Sequence, residues 1–190
     1  MNLLEFINSN KSLYNYDKLE LGFINEFYND LLSPIRNDVK NVLEIGIQNG
    51  NSIMCWRDFF TNAEIYGMDI NYCKLLENKS RVTQIIRDAY TLDSVNYFTD
   101  KKFDLIIDDG PHTFESMKFF IQNYLGLLNN NGIAIIEDIV DTTWTKKLCD
   151  LIDPNLQVSA IHMAEKQLTE WHRNKWRAGL DVIVVKKPHN

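Results

Sequence analysis

The segment Val42-Leu-Glu-Ile-Gly-Ile-Gln-Asn-Gly-Asn-Ser52 decides the fold. Residues 42–45 read as a short buried strand ending at Gly46, and a helical stretch follows over 52–61. Gly46 and Gly50 let the chain between them turn sharply and bring its backbone close to a ligand. The same alternation continues outward from this unit. Strands are expected at 64–68, ending on Asp69; at 82–86, ending near Asp88; at 103–107, ending on Asp108-Asp109-Gly110; and at 133–136, ending on Glu137-Asp138. Helices are expected at 72–78, 92–98, 113–129 and 142–151. Two last strands, 156–161 and 180–186, close the chain, and the final one, with no helix after it, is expected to enter antiparallel. Together these predict a Rossmann-like α/β fold, a mostly parallel seven-stranded sheet with helices on both faces. Residues 1–38 read as a helical lead-in over the ligand edge, and 39–190 as the domain proper.

Composition narrows the class. With 190 residues, 45% hydrophobic and 12% aromatic, the chain suits one folded domain with a sizeable core. Its formal charge of −6 argues against a phosphate-tracking nucleic-acid binder. No apolar run reaches membrane-spanning length, and the N-terminus carries no signal-peptide pattern. Cys55, Cys73 and Cys149 fit neither a disulfide framework nor a thiolate metal site. A soluble cytoplasmic protein is expected, with homo-oligomerisation left open.

The polar residues fall where open α/β sheets bind ligands, at the carboxyl ends of the strands. Asp is also a common turn former and helix cap, so the recurrence at five strand ends carries the reading rather than any single residue. The Gly46–Gly50 turn is not the G-x-G-x-x-G of a dinucleotide site, and Glu44 just before it suits a cationic ligand. Asp69 is placed to accept from both hydroxyls of a ribose, and Asp88-Ala89 to receive an adenine amino group. A ribose, an adenine and a positively charged tail describe S-adenosylmethionine (SAM). Ser52, Ile70 and Asp108 complete the expected cofactor contacts.

Beyond this, Asp17-Lys18, Asn49-Gly-Asn-Ser-Ile53, Trp56-Arg-Asp-Phe-Phe60, Ala63-Glu-Ile-Tyr-Gly-Met-Asp69, Phe103-Asp-Leu-Ile-Ile-Asp-Asp-Gly-Pro-His112 and Ile136-Glu-Asp138 resemble the metal-dependent macrolide-sugar O-methyltransferases and their cephalosporin-hydroxylase-like relatives, within the class I SAM-dependent methyltransferases. The likeness covers roughly residues 14–140, with a weaker echo over 173–187. The large N-terminal domain of the macrolide enzymes has no counterpart in these 190 residues, so its substrate contacts are not carried over.

Asp109, Glu137 and Asp138 are expected at neighbouring strand ends, where three carboxylates repel unless a cation sits among them. Hard oxygen ligands suit Mg²⁺, with Mn²⁺ or Ca²⁺ as alternatives, and the resemblance implies such a metal at these positions. The bland alternative is that Glu137-Asp138 only caps the next helix. His112 titrates in the useful range and is expected to act as the general base, the role the resemblance also implies; otherwise it is a capping or surface histidine. The expected activity is O-methylation of a sugar hydroxyl, for example of a rhamnose in a glycan. A non-sugar diol or a non-catalytic SAM-binding module are the alternatives. Trp56 is read as core. Trp144, Trp171, His172, Arg173 and Trp176 are read as sugar-stacking or interface residues, and Asp17-Lys18 as a clasp on the SAM carboxylate or a surface ion pair.

Overall fold

A computed structural model of the protein describes residues 1–10, 23–162 and 181–189. Its centre is a sheet of β1 (Asn41–Ile45), β2 (Glu64–Asp69), β3 (Val82–Ile86), β4 (Phe103–Asp108), β5 (Leu128–Ile139), β6 (Gln157–His162) and β7 (Asp181–Lys186). The spatial order is β3-β2-β1-β4-β5-β7-β6. β3 through β5 pair in parallel, whereas β7 runs antiparallel to both β5 and β6, as expected for the last strand.

Successive strand residues face opposite sides of a sheet, and in these strands both sides are apolar. One side carries Val42, Leu105, Ile107, Ile135 and Val184 under helix α3 (Asn51–Phe59). The lead-in, with α1 (Leu3–Ser9), a five-residue π-helical turn (Ile24–Tyr28) and α2 (Asn29–Leu32), packs on this same side. It is tied together by the Leu3 and Leu4 amides, which donate to Ser33 Oγ and Asn29 Oδ1. The other side carries Leu43, Ile45, Ile106, Ile136 and Ile183. It is covered by α5 (Phe114–Asn123) and α6 (Thr142–Cys149), with the short α4 (Leu92–Asn96) nearby. Each such buried aliphatic or aromatic side chain stabilises the fold by about 1.5–3 kcal/mol, so this two-sided core sets the architecture.

Two expected helices are corrected. Over 72–78 only a single 3-10 turn forms, Lys74–Leu76. The Gln84 side chain takes both the N–H and the C=O of Cys73, and Asn78 adopts a left-handed φ of 55°, so a longer helix loses at both ends. The helix expected over 113–129 stops at Asn123. Tyr124 spends its hydroxyl on the Ala89 carbonyl, a 3-10 turn (Leu125–Leu127) follows, and β5 starts at Leu128, paired with Phe103. Among the described residues no helix is long and apolar enough to cross a membrane.

Candidate active site

The parallel register delivers the polar residues to one edge. Ile45 lies opposite Asp108, and Asp108 opposite Ile136, so Gly46 and Asp109, just past the ends of β1 and β4, come level with Glu137 of β5. The Asp109 N–H donates to the Ile45 carbonyl at 2.9 Å. Gly46, at φ +83°, passes so near that a Cβ there would stand 2.0 Å from the Asp109 carbonyl oxygen. Only glycine fits that crossing.

Beside it, two non-glycine residues hold left-handed backbones, His112 at φ 54° and Asp138 at φ 53°. Asp138 sits where β5 slips register against β7, between Ile136 and Ile139. Such strain persists only where the surroundings impose it, and it concentrates at functional sites, as do irregularities in strands. Its result here is convergence. His112 Nε2 lies 3.7 Å from Asp109 Oδ1 and 3.8 Å from Asp138 Oδ2. One ligating atom from each of Asp109, His112 and Asp138 lies within 4.8 Å of the others, and all three residues are half-buried. Two carboxylates and an imidazole at that spacing fit a divalent cation.

Glu137, from the same end of β5, engages a different partner. It is buried, and its Oε1 accepts the hydroxyl of Tyr28 from the π-helical turn. Glu44, equally buried, accepts the indole N–H of Trp56 at 3.0 Å through Oε2. Burial, followed by the charges of Glu137, Glu44 and Asp109, pushes the Tyr28 hydroxyl well above the usual tyrosine range, so it stays a proton donor.

On the expected cofactor side, Asp69 accepts the N–H groups of Ile47 (2.9 Å), Gln48 (3.3 Å) and Asn71 (2.9 Å), which pins the glycine turn to the end of β2. Ile70 beside it is exposed. Gly50, at φ +76°, opens α3 without a side-chain cap, and Ser52 lies in that first turn. Asp88 is exposed and accepts the Tyr90 N–H at 2.9 Å, while Ala89 is buried. Asp108 is buried, and burial raises its carboxyl to about 7, with Asp109 adding to the rise and the Tyr90 hydroxyl, at 2.5 Å, and the Gly110 N–H opposing it.

The structure thus gathers Gly46, Asp108, Asp109, His112, Glu137 and Asp138 around one crossing, and places Asp69, Ile70, Asp88 and Ala89 along the ends of β2 and β3. Among the described residues, the Tyr28 and Tyr90 hydroxyls address site carboxylates; no sequence pattern marks Tyr28, and Tyr90 is marked only by adjoining Asp88-Ala89. Trp56 is core, as expected, and also a donor to Glu44. Trp144 packs edge-on to Phe114 at 5.7 Å. Asp17, Lys18, Trp171, His172, Arg173 and Trp176 lie outside the described residues.

Against known proteins, a profile of methyltransferase domains matches residues 43–139, from β1 through β5. The chain belongs to this methyltransferase domain family. Over 133 residues it is 28% identical to demethylmacrocin O-methyltransferase of Streptomyces fradiae, covering 65% of this chain and 33% of that enzyme. It is 26% identical over 137 residues to the 8-demethyl-8-alpha-L-rhamnosyl tetracenomycin-C 2'-O-methyltransferase of Streptomyces olivaceus, covering 67% and 36%. The chain therefore spans about a third of the length of these curated relatives. Its fold is shared with the MycE methyltransferase of the mycinamycin biosynthetic pathway, solved with Mg and SAH. The TM-score is 0.72 at 21% identity, covering all of this chain and 55% of the other.

Proposed function

We propose that this methyltransferase domain transfers a methyl group from SAM to a hydroxyl of a sugar, with rhamnose or another deoxysugar in a small molecule or glycan as the acceptor class. Asp109, Glu137 and Asp138 hold a divalent cation, Mg²⁺ first among the candidates, and His112 is the general base. The observation that carries the reading is the convergence of Asp109, His112 and Asp138 at the meeting of β4 and β5. The naming of relatives for O-methylation, one of them of a rhamnosyl compound, favours a sugar over other diols.

When bound, SAM supplies an electrophilic methyl group, and the cation supplies the Lewis acidity that makes a chelated hydroxyl easier to deprotonate. The chain's residues do the rest. Buried Glu44 provides negative charge for the cationic tail of the cofactor. Asp69 would accept from the ribose, Asp88 and Ala89 would meet the adenine, Ile70 would offer an apolar face, and Gly46, Gly50 and Ser52 would shape the turn beneath. Asp108 lies where the β1 turn meets β4 and would hold the sulfonium end of the cofactor. His112 takes the acceptor's proton on Nε2, and the carboxylates of Asp109 and Asp138, at 3.7 and 3.8 Å, stabilise the imidazolium that forms. Most of the acceleration then comes from holding donor and acceptor in line.

The same short distances favour one second reading, in which His112 is itself a cation ligand. His112→Ala separates the two. As base, it is expected to lower turnover of a rhamnoside acceptor by about 100-fold or more while Mg²⁺ affinity, read by calorimetry, holds. A parallel loss of Mg²⁺ affinity makes His112 a ligand, and unchanged turnover removes it from both roles.

A further inference from the structure

The buried face beneath the site contains a pair of rings whose polar atoms both point at carboxylates. Tyr28 and Trp56 are fully buried and pack on each other with ring centroids 5.5 Å apart. The Trp56 N–H donates to Glu44 on β1, at the expected cofactor side. The Tyr28 O–H donates to Glu137 on β5, at the expected acceptor side. Tyr28 is stacked from behind by Phe27 at 4.4 Å, so its hydroxyl has little freedom to swing away.

We infer that Tyr28 is a positioning residue of the transfer site: its hydroxyl fixes the carboxylate of Glu137 and, through it, the affinity for the cation. This role rests on the reading of Glu137 as a cation ligand. Three independent features support it. Glu137 is only 1% exposed and has Glu44 and Asp109 near the same hydroxyl, so a charged donor there would compete with a cation, whereas a neutral O–H orients the carboxylate without adding charge. With Oε1 engaged by Tyr28, rotation of the carboxylate is restrained. Partners of this kind, one bond removed from a metal, govern its affinity almost as strongly as the ligands do. Finally, the tyrosine is presented by a π-helical turn, Ile24–Tyr28, a rare conformation that recurs at functional sites. The described part of the lead-in, which packs on the sheet, thereby becomes part of the site.

The test is a double-mutant cycle on the full chain, reading Mg²⁺ and SAM affinity by calorimetry and folding by circular dichroism. Tyr28→Phe keeps the ring and removes only the hydroxyl. It is expected to weaken Mg²⁺ binding by about 10-fold or more, with SAM affinity within about twofold of wild type. On a Glu137→Ala background the same substitution is expected to change Mg²⁺ affinity no further. If Tyr28→Phe fails to fold alone yet folds on the Glu137→Ala background, that also ties the hydroxyl to this one carboxylate. Unchanged Mg²⁺ affinity in a folded Tyr28→Phe, an equal loss on both backgrounds, or failure to fold on both, overturns the role. A wild-type chain that binds no Mg²⁺ overturns the cation reading itself, and the role of Tyr28 with it.

Discussion

At Gly46 the space for one methyl group separates a working edge from a blocked one. Gly46→Ala would need a left-handed backbone, costing about 1–2 kcal/mol, and would drive Cβ into the Asp109 carbonyl, adding roughly 1–3 kcal/mol of overpacking. Its urea midpoint is expected to fall accordingly, by about 2–5 kcal/mol in stability. Gly126→Ala is the control, since a Cβ there meets nothing within 4 Å, and its stability is expected to stay within about 0.5 kcal/mol of wild type. Equal stabilities for the two variants would contradict the crossing described. Residues such as Gly46, Asp69 and Asp109 were legible in the sequence because each closes a strand, and strand ends are where a parallel sheet meets its ligand. Tyr28 was not. It lies 109 residues from Glu137, in a lead-in whose apolar spacing reads as plain core, and no local pattern marks which buried hydroxyl will face a carboxylate.

Among the elements, α3 and β1 act as one part of the site, joined by the Trp56 to Glu44 bond across 12 residues. Trp56→Phe keeps most of the packing and removes the N–H. A hydrogen bond to a charged, buried group is worth about 1.5–3 kcal/mol, so denaturant unfolding is expected to show a loss of that size. Unchanged stability would mean that Glu44 does not depend on this donor. The strand cores were readable element by element, because runs such as Phe103-Asp-Leu-Ile-Ile alternate with helical patterns. The early part of β5 was hidden. Its residues Asn129, Asn130 and Asn131 carry no strand signal, and the strand is extended backward by pairing of Leu128 with Phe103 and by the backbone bonds of Asn131 and Gly132 with Lys187. The kink at Asp138 was hidden for a related reason: its left-handed backbone follows from the slip of β5 against β7, a partner that arrives more than 40 residues later.

For the whole molecule, the order β3-β2-β1-β4-β5-β7-β6 puts the two halves of the proposed chemistry on adjoining ground, the carboxylates proposed for a cofactor along β1 to β3 and those proposed for a cation at β4 and β5. The parallel sheet with acidic residues at its strand ends was legible in the sequence, because apolar runs closing on Asp or Glu alternate with helical segments. What the sequence could not supply was the sorting within the acidic set. Asp138 and His112 converge with Asp109, and Glu137 is held on its Oε1 by the Tyr28 hydroxyl. The most direct measurement is calorimetric titration of SAM, then of Mg²⁺, into wild type and a Glu137→Ala/Asp138→Ala double variant. SAM binding by both proteins, with Mg²⁺ binding lost only in the variant, is the expected result. A folded wild type that binds no SAM would contradict the proposed methyl transfer at its root.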